Sequence, residues 1–210
     1  MLQRRTTQTN ELVISYLLLR KTVGWIGMLL PFVLIVGNVV MSASRPDSMS
    51  GYYYTPMRNV FVGALCALGV FLIAYDGYDN VDRWITNIAG LGAIGVAFCP
   101  TKPSGPLSTA QNVVGDIHVF FAAVTFTALG LMALRFTKGC QVRLETTAYQ
   151  ACGSVILACV VLAAVSNLLP SADFASWPVL FILEATAVVA FGISWFVKGK
   201  TILPARAVSD

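Results

Sequence analysis

Charge is scarce in this chain. Asp, Glu, Lys and Arg make up 11% of its 210 residues, where an average soluble domain carries about 25%. That is too little polar surface to cover a globule in water, and a mean hydropathy of +0.74 agrees. Histidine is almost missing. His118 is the only one, which excludes a zinc site built from several histidines. The five cysteines (Cys66, Cys99, Cys140, Cys152, Cys159) contain no C-x-x-C spacing. The pattern gives neither a disulfide framework nor a zinc signature, and Cys66 and Cys159 read as small apolar fillers. No length is left over for a soluble catalytic domain beside a membrane domain.

What is abundant is apolar sequence, 57% of the chain. A spanning helix needs roughly 20 apolar residues, because hydrocarbon offers no partner to a free backbone group. Six runs meet or approach that length: 23–41, 60–75, 84–98, 117–136, 149–169 and 177–197. The expected fold class is therefore all-α, a polytopic integral membrane protein with six transmembrane helices. The second and third runs are short, and flanking tyrosines and Trp84 can extend them at headgroup level. Leu12–Leu19 is apolar but ends in Arg20-Lys21, so it is expected to lie in the interface as a separate amphipathic helix. A signal peptide is the competing reading of this end, with Ser42-Ala43-Ser44 as the cleavage site. The first run, at 19 residues, exceeds the roughly 7–15 of a signal core, which favours a retained helix.

Basic residues set the orientation. With the N-terminus inside, the inner segments hold Arg4, Arg5, Arg20, Lys21, Arg83, Arg135, Lys138, Arg143, Lys198, Lys200 and Arg206, which is 11 of the 14 Lys and Arg. The outer segments hold Arg45, Arg58 and Lys102. This bias puts both termini in the cytoplasm. The layout is a cytoplasmic or interfacial segment 1–22, a six-helix domain 23–197 and a cytoplasmic tail 198–210. The net charge of +4 comes from these clusters rather than from a phosphate-tracking groove, so no nucleic-acid partner is expected. Membrane lipids are the expected partners, and a homo-oligomer is compatible with the sequence. Helix ends carry local marks. Gly115-Asp116 and Ser176 suit N-caps, Pro100 and Pro170 suit stops, and Pro31 should kink the first span.

Two motifs suggest chemistry and are better explained otherwise. Gly90-Leu91-Gly92-Ala93-Ile94-Gly95 fits G-x-G-x-x-G, but that pattern binds dinucleotides only between a strand and an exposed helix. Inside an apolar span, small residues let helices approach. Asp76, Asp79 and Asp82 are spaced by three, which would line up carboxylates for Mg²⁺ or Ca²⁺ on a helix. Gly77 and Asn80 argue instead for a solvated turn. No cofactor and no metal are expected.

Glu184 is the residue that stands out. It lies inside the sixth run among apolar neighbours, and an intramembrane carboxylate is costly enough to suggest function. Other polar residues share the outer half: Asn38, Arg58, Asn59, His118 and Asn167. Tyr54, with Tyr52 and Tyr53, would form an aromatic rim. These residues suggest one outward-facing pocket in which Arg58 pairs with Glu184. The function this favours is non-enzymatic binding of a lipid or small amphiphile. One alternative is a transporter or proton-coupled carrier, with Glu184 and His118 titrating. Another is a lipid-acting membrane enzyme, with His118 as base oriented by Asp116. No nucleophile is placed beside them, so the reading leans away from catalysis.

The stretch Tyr53-Tyr54-Thr55-Pro56-Met57-Arg58-Asn59-Val60-Phe61-Val62-Gly63 is followed by an apolar helix and an acidic turn. Then come Asn87-Ile88-Ala89-Gly90-Leu91, Pro100 and Ile117-His118-Val119. This order resembles uncharacterised bacterial six-helix membrane proteins, and more distantly it is similar to the DRAM and Sfk group. The resemblance covers roughly residues 23–197. It implies six spans, a bacterial inner (plasma) membrane location and a link to lipids or membrane organisation, and it brings no catalytic residues. Membrane zinc hydrolases of the ceramidase and adiponectin-receptor type are similar in size but need several histidines, which this chain lacks.

Overall fold

The computed structural model describes residues 2–138, 140–168 and 178–199, with side chains from residue 17 onward except 167 and 168. It is all-helical. The helices are α1 (Leu2–Val40), α2 (Arg58–Ile73), α3 (Asn80–Phe98), α4 (Thr109–Arg135), α5 (Arg143–Leu168) and α6 (Val179–Lys198), with a short 3-10 helix at Ser50–Tyr54. The expected features at Pro170 and Ser176, the tail from residue 200 with Lys200 and Arg206, and the side chains of Arg4, Arg5 and Asn167 lie outside the described residues.

Four helical stretches are long and apolar enough to cross a membrane: Leu17–Val40, Thr109–Arg135, Arg143–Ser166 and Val179–Lys198. Large apolar side chains stand on the outside of the molecule, among them Phe32, Val36, Phe120, Val161 and Leu162. In water such a surface would be a severe aggregation hazard; in hydrocarbon it is the ordinary exterior.

Successive helices run up and down and pack in a ring, each on its neighbours in the chain, with α6 closing on α1. One end of the bundle carries residues 41–57 and 99–108 and is called here the Tyr52 end. The other carries residues 74–79 and 136–142 and is called the Asp82 end. Glycines bring the helices together. A Cβ on Gly90 of α3 would lie 2.6 Å from the Gly69 carbonyl oxygen of α2, and one on Gly192 of α6 would lie 2.6 Å from the Met28 nitrogen of α1. At both crossings the backbones touch, and only glycine fits. The G-x-G-x-x-G sequence of α3 is thus a packing face, with Gly92 against Thr125 and Gly95 against Phe121 of α4.

The clearest differences from the sequence expectation are at the starts of four helices, and α5 begins at Arg143 rather than Tyr149. The separate interfacial helix and first span are one helix, Leu2–Val40. No glycine or proline interrupts residues 2–23, and extending a formed helix costs far less than nucleating a second one. The fourth helix begins not at Gly115-Asp116 but at Thr109. Ser108 accepts from the Gln111 N–H (3.3 Å) while the Gln111 side chain accepts from the Ser108 N–H (2.9 Å), a capping box. Asp116 pairs instead with Lys102 at 2.7 Å. The third helix starts at Asn80, because Asp79 caps it by accepting from the Asp82 N–H at 2.9 Å.

Candidate ligand cavity and its two closures

Inside the ring, about 50 Å³ is left unfilled. Phe61, Leu65, Leu68 and Leu72 line it from one face of α2, at spacings of four, three and four residues. Leu30 of α1, Val96 of α3, Phe126 of α4 and Phe191 of α6 complete most of the wall. The polar residues on the wall are Ser50, Thr125 and Glu184. Thr125 donates its hydroxyl to the Phe121 carbonyl at 2.7 Å, so the polar character is concentrated at the Tyr52 end, in Glu184 and Ser50.

The segment between α1 and α2 closes that end. Glu184 Oε2 accepts from the Met49 N–H at 2.6 Å, and its Oε1 accepts from the Ser50 hydroxyl at 3.3 Å. The carboxylate therefore sits at the N-terminus of the 3-10 helix, where unpaired N–H groups favour an anion. The Phe181 N–H donates to the Asp47 carbonyl at 3.2 Å and ties the same segment to the start of α6. Beneath it, Met49, Tyr52 and Met57 are buried against Leu30, Leu34, Phe61, Val96, Phe181 and Val188.

The opposite end is closed by charge and aromatic rings. Asp82, 1% exposed, accepts from Arg135 Nε and from the Tyr78 N–H at 3.0 Å. Arg135 Nη2 reaches both oxygens of Asp79 at 2.8 Å, and Lys138 stands 3.4 Å from Asp79. The Asp82 N–H, with Lys138 and Arg135, holds the Asp79 carboxyl below its ordinary value near 3.8. Asp76 pairs with Arg83 at 2.7 Å. Asp76 and Asp79 lie in an exposed turn, as expected, with arginine and lysine as partners, while Asp82 is buried against Arg135. Among the described residues, no group of three or more His, Cys, Asp or Glu side chains is arranged to hold a metal. Lys198, 7% exposed, donates to the Tyr78 hydroxyl at 2.8 Å and lies over the rings of Tyr78 (4.3 Å) and Phe136 (4.9 Å), within cation–π range. Tyr75, Phe136, Tyr149 and Trp195 pack edge to face between these charges and the cavity.

Of the six residues suggested for one pocket whose side chains are described, Glu184 is the one on the cavity wall. The expected Arg58–Glu184 pair is not formed. Arg58 is exposed, donates to the Tyr53 hydroxyl and stacks over that ring at 4.2 Å. Its planar guanidinium is satisfied there without being desolvated, while Glu184 already has donors from the 3-10 helix. Asn38, 3% exposed, donates to the Ala43 and Ser44 carbonyls at 3.0 Å each and closes the end of α1. His118, 4% exposed, places Nδ1 2.6 Å from the Cys99 carbonyl and ties α4 to the end of α3. Asn59 is exposed. Tyr54 donates to the Thr101 carbonyl at 2.6 Å and borders a separate, more open pocket of about 170 Å³ with Pro100, Pro103 and Gln111. The side chain of Asn167 lies outside the described residues.

The chain matches no protein family, and neither a curated protein nor a solved structure is similar to it. The cavity has to be interpreted from its own residues.

Proposed function

We propose that this chain is a six-span membrane protein with both termini cytoplasmic, and that it binds the apolar chain of a lipid or small amphiphile in the cavity beside Glu184. Six spans are supported by α2 and α3. Both are shorter in apolar length than the other helices, yet Val60, Val70 and Ile73 of α2 and Trp84, Ile88, Leu91 and Phe98 of α3 stand exposed on the outside like the apolar faces of the four long helices. The Lys and Arg bias favours the Asp82 end as the cytoplasmic one, which puts the Tyr52 end outside. A bacterial inner membrane rests on the family resemblance alone.

The observation that carries the binding reading is the composition of the cavity wall. Apolar side chains from α1, α2, α3, α4 and α6 surround a space with a single ionisable group at one end, the pattern of small-ligand pockets. At about 50 Å³ the space is smaller than the roughly 150 Å³ of an apolar cavity that admits benzene. A chain therefore enters only when the 41–57 segment shifts. Native mass spectrometry of gently extracted protein tests the reading. A retained amphiphile is expected in wild type and should be lost in Ala93→Leu and Ala122→Leu, which fill the cavity. No adduct in wild type, or equal adducts in folded variants, would refute it.

A further inference from the structure

The hydrogen bonds of Glu184 restrict which ligand the cavity can take. This inference rests on the cavity reading above and deepens it. In the closed form the carboxylate is held by donors of Met49 and Ser50, among them the Met49 N–H and the Ser50 hydroxyl, all on the segment that covers the cavity. When that segment lifts to admit a chain, these donors leave together. Glu184 then faces an apolar space, where the anion is strongly unfavourable unless it is paired or takes up a proton. A ligand that brings a counter-charge and donors there keeps the group ionised and holds the segment open.

We propose that the cavity selects a single-chain amphiphile with a positively charged head bearing N–H groups, and that this head replaces Met49 and Ser50 on Glu184. An ammonium supplies both the counter-charge and the directed donors. A carboxylate or phosphate head brings a like charge against Glu184 and is rejected. A quaternary ammonium brings the charge without N–H donors and is an intermediate case. Among the described residues no cation lines the cavity, whose wall is apolar apart from Ser50, Thr125 and Glu184, and Arg58 is engaged with Tyr53. The apolar face of α2 from Phe61 to Leu72 is about 16 Å long at 1.5 Å per residue, enough to follow an octyl chain.

The experiment uses full-length protein in phosphatidylcholine nanodiscs. Octylammonium, octyltrimethylammonium and octanoate, each with a terminal trifluoromethyl reporter, are titrated by fluorine NMR, with empty discs correcting for partition into lipid. Octylammonium should bind at least about tenfold more tightly than octanoate, a difference of about 1.4 kcal/mol, with the trimethyl probe between them. Glu184→Gln should remove most of the preference. Ser50→Ala, which weakens the closure while leaving Glu184 in place, should tighten octylammonium binding several-fold. It keeps the test decisive if Glu184→Gln fails to fold. Equal binding of the three probes, or a preference that survives Glu184→Gln, would overturn the head-group assignment and leave chain binding standing. Weaker octylammonium binding in Ser50→Ala would overturn the replacement of the closure's donors. No saturable binding of any probe would overturn the cavity reading itself.

Discussion

The Asp82–Arg135 contact gives the sharpest test of how the bundle is closed at the Asp82 end. Asp82 is 1% exposed and the Arg135 side chain 19%, so water cannot compensate either charge fully. Removing one member of a buried pair costs about 3–5 kcal/mol, because the other charge stays buried. Asp82→Asn keeps the size of the side chain and removes its charge. For a chain of this size 1 kcal/mol corresponds to roughly 2–4 °C, so the Tm of Asp82→Asn should fall by about 10 °C. Arg135→Met should cause a similar loss, since it also strips the two Asp79 contacts. The double variant leaves no lone charge at the buried position, and its loss should be smaller than the sum of the singles by about 2 kcal/mol or more. The assay is thermal unfolding of the four proteins in one mild detergent, followed by tryptophan fluorescence. Additivity within about 0.5 kcal/mol would mean that the two groups do not depend on each other, and the reasoning would fail.

Two further outcomes follow from the same geometry. Arg58→Met and Glu184→Gln should be additive in Tm, because each residue has its own partners; an interaction above about 0.5 kcal/mol would restore the pair that the sequence suggests. Asp79 has a lowered folded-state value, so its contribution is fully present above about pH 3.8 and is lost as pH falls through the folded value. Wild-type Tm should therefore drop more steeply than that of Asp79→Asn on acidification below pH 4, and parallel curves would contradict the cause given.

The apolar runs made the helices legible because length in hydrocarbon leaves few alternatives. The place of Glu184 early in α6 could be read the same way. Which way it points could not, since its partners are backbone and hydroxyl groups of Met49 and Ser50, far away in the chain and without a motif. The clustering of polar residues near one level suggested a single pocket, yet Asn38 and His118 reach carbonyls at the ends of α1 and α3. Helix ends leave carbonyls free, and a nearby amide or imidazole is used first to satisfy them. Two features were readable and passed over. Ser108-Thr109-Ala110-Gln111 is a capping-box sequence, and it moves the start of α4 by eight residues from the expected Ile117. Asp79 and Asp82 share one side of the membrane with Arg135 and Lys138 on the orientation set by the basic residues, so their pairing followed from topology. The aromatic box around Lys198 had no comparable signal, because Tyr78, Phe136, Tyr149 and Lys198 come from four different parts of the chain.

The two closures differ in kind, and the difference bears on how a ligand reaches the cavity. At the Asp82 end, access would require parting Asp82 from Arg135 and separating four aromatic rings packed edge to face. These contacts join α3, α4, α5, α6 and the α2–α3 connection, so opening there disrupts most of the ring of helices. On the other side, among the described residues, the cover over the cavity is the 41–57 segment, held to α6 by the Glu184 bonds and the Phe181–Asp47 bond. Lifting it leaves the helices in place and exposes Met49, Tyr52 and Met57, which a membrane interface tolerates better than water does. The bonds that must break converge on Glu184, the ionisable group on the cavity wall. On the proposed reading, entry at the Tyr52 end and recognition of the head are therefore the same event. A ligand that cannot satisfy Glu184 leaves the segment closed, whatever the affinity of its chain for the apolar wall.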